Sequence, residues 1–302
     1  MAIEGQYVPV GSSDGAFGEV YDRGYQHYEG SRLGRGHAVH ALTTYSMRRA
    51  LGSKKSWTAK VVPALMYVAA GLMVVIPLGI RAFLDDASVV EYWDYFFSIF
   101  VVLGVFVATI APEMLCNDRS ENVLTLYFSR AITRMDYLIA KLVGTALLTL
   151  TITLVPMVVY WLGRQLLEDS PLSAMTDNAG DLWRVVVMSL VTAFYLGSVA
   201  LMISSFTGRK SIAVAVIIVA FIVVSIFSLT LTEVVTDQDV LPFIAILNPL
   251  RLVGEFSYGL FGQSMENTEF GKPLSVWAYA GAMLGTVLFC CGVMYWRYVP
   301  AD

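Results

Sequence analysis

The chain has 302 residues, 57% of them hydrophobic and only 15% charged, with a formal net charge of -4 and a mean hydropathy of +0.65. A soluble domain of this size needs far more polar surface. A β-barrel is excluded too, because the apolar runs are continuous rather than alternating. The expected fold class is all-α: a polytopic helical membrane protein with six transmembrane helices, an amphipathic N-terminal helix and short outer helices before the last span.

Residues 1–36, rich in Gly, Ser, Tyr and charge, read as a flexible cytoplasmic tail. The tyrosines of YDRGYQHYEG offer an adhesive patch, although a tail without fixed role explains the composition more simply. The three histidines, His27, His37 and His40, lie away from any thiol or acidic cluster and read as surface residues, so no metal is expected. The stretch before the first run holds no apolar core for a cleavable signal, so that run is expected to act as its own insertion signal. Residues 37–57 set Ala38, Leu42 and Tyr45 against Arg48, Arg49, Lys54 and Lys55. This pattern predicts an amphipathic helix on an anionic leaflet; a plain basic anchor shares the same features.

The transmembrane domain is expected over 58–298, with spans near 61–84, 92–115, 137–162, 182–206, 211–231 and 274–296. An outer segment, about 235–272, holds an apolar stretch too short to cross. Pro242, Asn248, Pro249, Arg251 and Glu255 make 242–261 an interfacial or re-entrant helix. Gly281 and Gly285 form a GxxxG pair suited to dimer or helix packing. Trp57, Trp93, Trp183 and Trp296 read as interface anchors, and Cys116, Cys290 and Cys291 as reduced thiols. Of the 20 Lys and Arg residues, only Arg81, Arg164, Arg184, Arg251 and Lys272 fall on one side of these spans. The positive-inside bias therefore predicts both termini in the cytoplasm.

The segment 112–141, PEMLCNDRSENVLTLYFSRAITRMDYLIAK, is more elaborate than a turn requires. Asp118 and Glu121 fit a capping pair for a short helix over about 118–128. Behind it, Val123 with Tyr127 and Leu124 with Phe128 stand at i,i+4 spacing. Thr133 with Asp136 repeats the start signal, and Lys141 is expected to extend its amine back to the headgroups. Glu113 offers an inner gate or, more simply, an interfacial carboxylate. On the residues alone, an interfacial turn helix and a docking helix stay equally open.

No GxxxxGK[ST] loop occurs, so the chain is not expected to hydrolyse ATP. HExxH and GxSxG are absent, and Ser189, Ser198, Ser204, Ser205, Ser225 and Ser228 have no histidine near their depth, so no catalytic residue is assigned. No ionisable side chain falls at mid-span, which argues against an ion-driven carrier.

Pro112, Asp118, Arg119, Leu124, Tyr127, Ser129, Arg130, Asp136, Tyr137 and Lys141 resemble the signature of ABC-2 type transporter permeases, D-R-x-x-G-x-L-x-x-x-x-S-R-P-[IL]-x-R-x-[ED]-Y-x-x-x-K. Asn122 stands where glycine is common and Ala131 where proline is usual; the layout over 38–297 is similar as well. The resemblance implies a multi-pass permease of a cytoplasmic membrane that forms an exporter with a second permease copy, in a homodimer or heterodimer, and with separate ATPase subunits. The short helix would be the coupling helix, with Val123, Leu124, Tyr127 and Phe128 as apolar contacts and Asp118, Arg119, Glu121 and Arg130 for orientation. The chain itself would carry no cofactor, ATP and Mg being expected on the ATPase. Membrane lipids are expected partners and nucleic acid is not. The alternatives are a non-transporting six-span protein that docks another complex and, further off, an ion-driven carrier.

Overall fold

The structure, a computed structural model, describes residues 34–53, 57–83, 90–124, 127, 132–235, 237, 239–264 and 272–298. Among them the regular structure is helical: α1 (Arg35–Ala50), α2 (Trp57–Phe83), α3 (Tyr92–Ser120), α4 (Arg134–Leu166), α5 (Pro171–Asp177), α6 (Ala179–Ser205), α7 (Lys210–Val234), α8 (Leu241–Leu247), α9 (Pro249–Leu260) and α10 (Val276–Tyr298). Six of these, α2, α3, α4, α6, α7 and α10, are long and apolar enough to cross a membrane. The tail, with His27 and the tyrosine run, lies outside the described residues.

Helix α3 forms the centre of the bundle. In its apolar window 78% of residues are buried, against 17% in α2 and in α10, so these two and α7 stand at the periphery. Tyr95, Phe96, Ile99, Leu103 and Phe106 of α3 are fully enclosed by α2, α4, α6, α7 and α9. Apolar residues on the outside of α2, α7 and α10 cost nothing in hydrocarbon. Packing and internal hydrogen bonds, rather than water exclusion, therefore decide which faces turn inward. On α4 the buried hydroxyls of Thr145, Thr149 and Thr153 donate to Lys141 O, Thr145 O and Thr149 O. Each is thereby satisfied within its own helix, and α6 can pack on that face. Ser198, Ser204 and Ser205 likewise bond backbone carbonyls of α6.

The interfacial segment expected at 242–261 is two helices. Asn248 ends α8 and caps α9, its Oδ1 accepting from Leu250 N and Arg251 N at 3.1 and 3.2 Å, with Pro249 at the first helical position. At 12 residues, α9 spans about 18 Å and falls short of a bilayer core. It packs between α3 and α10 and encloses the Arg251–Glu255 ion pair at 2.8 Å. Helix α5 is an exposed turn of structure with no counterpart in the expected layout.

The GxxxG expectation needs correction for packing within one chain. Helix α10 presents Tyr279, Met283, Cys290 and Met294 inward, whereas Gly281 and Gly285 are exposed and a side chain added at either would meet nothing within 4 Å. Among the described residues, the two glycines bring no neighbouring helix of the same chain close.

Candidate functional site

At one end of the bundle the chain gathers α1, the end of α3 and the start of α4. Asp118, expected to cap a new helix, instead lies inside the last turn of α3 and is almost wholly buried. Its Oδ2 accepts from Lys141 Nζ at 2.6 Å and from the Tyr137 hydroxyl at 3.1 Å, and its Oδ1 from Arg49 Nη1 at 3.2 Å. Lys141 also donates to Ser46 Oγ at 2.8 Å. A single carboxylate thus ties α1, α3 and α4 together. Lys141 does not reach for headgroups, as expected from its position, because its own fold supplies a buried anion one helix away.

What ends α3 is a Schellman turn. Val123 N–H donates to Asp118 O at 3.2 Å and Asn122 N–H to Arg119 O at 3.3 Å, with Asn122 at φ 52°. That left-handed position suits glycine, and asparagine is among the few side chains that tolerate it. This is the physical content of the pattern's glycine and of its replacement here. Helical geometry resumes at Leu124 and Tyr127, and Tyr127 N–H donates to Val123 O at 3.2 Å. The short helix therefore starts about one turn later than 118. Asn122→Gly should keep the melting temperature, whereas Asn122→Val should cost about 1–2 kcal/mol; thermal melts of the purified variants check this.

The remaining residues singled out for docking divide. Arg119 turns inward and donates to Ser205 O at 2.5 Å, where Arg297 also donates at 2.6 Å. Both guanidiniums sit on the carbonyl end of α6, where cations are favoured. Glu121, half exposed at the end of α3, pairs with Arg49 Nη2 at 2.5 Å. Val123, Leu124 and Tyr127 are partly buried, and Tyr127 packs on Tyr137 with ring centroids 6.1 Å apart. Burial raises the Tyr127 phenol pKa. Phe128, Arg130 and Ala131 lie outside the described residues. Across the turn, Thr133 and Asp136 form the expected capping box of α4, and Arg35 grips Asp136 through two bonds of 2.8 Å.

Glu113 is also buried, held by Lys210 at the start of α7 and by Asn117 Nδ2 at 2.6 Å. It joins α3 to α7. Reasoning from the sequence missed Arg49, Tyr137 and Lys210 as partners of these acids. For Arg49 and Lys210 the charge bias of the loops was the one signal in the sequence, and for Tyr137 its place in the permease-like pattern.

The fold defines a polytopic helical membrane protein, with a charged junction that locks its second and third spans to a preceding helix. Comparison with known families matches residues 12–302 to the family described as ABC-2 family transporter protein. The chain belongs to that family, and so is a permease of an ABC transporter, for which an ABC ATPase subunit is the implied partner. None of the curated proteins compared matches the chain.

Proposed function

We propose that this permease works as an exporter in a cytoplasmic membrane, with both termini in the cytoplasm, two permease copies forming the pathway and two separate ATPase subunits driving it. ATP and Mg2+ would bind on those subunits. The observation that carries this reading is the α1–α3–α4 junction. A turn fastened through Asp118 on one side and through the Thr133–Asp136 box on the other transmits a push, where a loose loop would absorb it. The docking face is then Glu121, Val123, Leu124 and Tyr127, with Asp118 and Arg119 bracing it from behind; by sequence Phe128 and Arg130 are expected to add to the contact.

The second permease would meet a lateral face of the bundle. Between α3 and α7, Phe100, Gly104, Val105, Ile218, Phe221 and Ile222 line a cavity of about 280 Å³ that Leu250 borders. Its apolar walls suit lipid-like or hydrophobic cargo, and the exposed Gly281 and Gly285 offer a close-packing face to a second copy. A tagged chain should co-purify with an ATPase subunit. The double variant Glu121→Lys with Arg130→Glu should weaken that association by about tenfold or more while the protein still inserts. Unchanged binding and transport by this variant would show that the docking face lies elsewhere.

A further inference from the structure

Helix α1 spends its inner face on protein. Leu42, Thr43, Ser46 and Ala50 are buried against α3 and α4, so the leaflet expected to receive that face does not. Its outer face is polar and frames a cavity of about 490 Å³, lined among others by His37, His40, Tyr45, Arg48, Ser53 and Glu121. The lining carries two imidazoles, a phenol and the Arg48 guanidinium, while the Ser53 hydroxyl donates to Arg48 O at 2.8 Å. Among the described residues Arg48 makes no ion pair. The one carboxylate, Glu121, is already matched by Arg49. The cavity is therefore electropositive and suited to an anion.

Its depth indicates the source of that anion. Ser53 stands four residues before Trp57, a reach of at most about 14 Å. Trp57 opens α2, is 81% exposed and, as a tryptophan at a span end, marks the headgroup level. On α4, α1 lies beside Asp136, Lys141 and, furthest along the helix, Gly144, which faces Thr43 and Met47. From Gly144 to Leu166 the helix runs about 33 Å, one bilayer core. That length, together with Trp57, points to headgroup depth for helix α1, just before the first span. A Schellman turn at Gly52, φ 74°, with Ser53 N–H donating to Arg48 O, fixes that entry.

We propose that the outer face of α1 holds the phosphate headgroup of an anionic membrane lipid, with Arg48 as the charged anchor and His37, His40 and Tyr45 around it. A basic cavity at headgroup depth is the setting in which such lipids are recognised. The site does not depend on the ATPase reading. Native mass spectrometry of the full-length chain in detergent, titrated with phosphatidylglycerol and with phosphatidylcholine, tests it. The wild type should retain phosphatidylglycerol preferentially. Arg48→Gln should reduce the preference about fivefold, and adding His40→Gln should reduce it further. Arg48→Lys should keep most of it, and Arg81→Gln, at the far end of α2, should leave it intact. Thermal melts matching wild type show that Arg48→Gln is folded; if they do not match, the Arg48→Lys comparison carries the test. Equal retention of both lipids, or a preference unchanged by Arg48→Gln with His40→Gln, overturns the proposal. So does displacement by millimolar inorganic phosphate, which marks a soluble-anion site, or loss of the lipid when the ATPase binds, which marks a partner face.

Discussion

Asp118→Ala is expected to cost about 3–5 kcal/mol of stability, because it strands two cations that the fold has taken out of water. The Lys141 side chain is 4% accessible and that of Asp118 2%. Ser46 remains to Lys141 after the substitution, but a hydroxyl does not neutralise an ammonium. Arg49 keeps Glu121, which is 54% accessible and hence a weaker, screened partner. Removing the second charge as well, in Asp118→Asn with Lys141→Met, should restore most of the loss, since replacing both members of a buried pair is far cheaper than breaking it. Thermal unfolding of the purified variants measures both effects. The same experiment separates two roles for Asp118. A docking residue would lose the ATPase at an unchanged melting temperature, and that outcome would refute the bracing role assigned here.

The second large effect concerns the pair on α9. Arg251 and Glu255 have side chains only 7% and 5% accessible. Burial raises the Glu255 pKa above its ordinary 4.5, while Arg251 pulls it back down. The folded state then binds the proton more readily than the unfolded chain. Stability from this group is therefore fully present below about 4.5 and is lost as pH rises through the raised folded value. Arg251→Met removes the compensating charge, so it should cost about 3 kcal/mol at pH 8, with the deficit shrinking towards pH 4. Glu255→Gln should flatten the slope while lowering stability at pH 8, because it leaves the buried Arg251 charge without its carboxylate. Asp94, which accepts from Tyr258, is the neighbouring acid on α3, and Tyr279 faces the pair from α10. Melting temperatures across pH 4–8 decide the matter, and a deficit of Arg251→Met that does not vary with pH would contradict it.

Some of the site was legible in the residues and some was not. The Thr133–Asp136 box was readable because both partners are three residues apart and the bonds are local. The Asp118–Glu121 spacing looks the same on paper, yet Asp118 was claimed by Arg49 and Lys141, residues no local pattern connects to it. Arg119 was placed among docking residues for its charge, when the open carbonyl at the end of α6 was waiting for it. Helix α1 was correctly suspected of two faces, but amphipathicity does not say whether lipid or protein takes the apolar one.

By itself the sequence determined the number and order of the spans and the short helices before the last. Run length, turn chemistry and the cost of unpaired backbone in hydrocarbon act along the chain and leave little choice. Only the tertiary structure decided which face of each helix is buried, where α3 ends, and which charges are spent inside. In a bilayer almost every side of an apolar helix is acceptable to its surroundings. The choice among them falls to packing and to a few charge pairs made across the fold, such as Asp118 with Arg49 and Lys141.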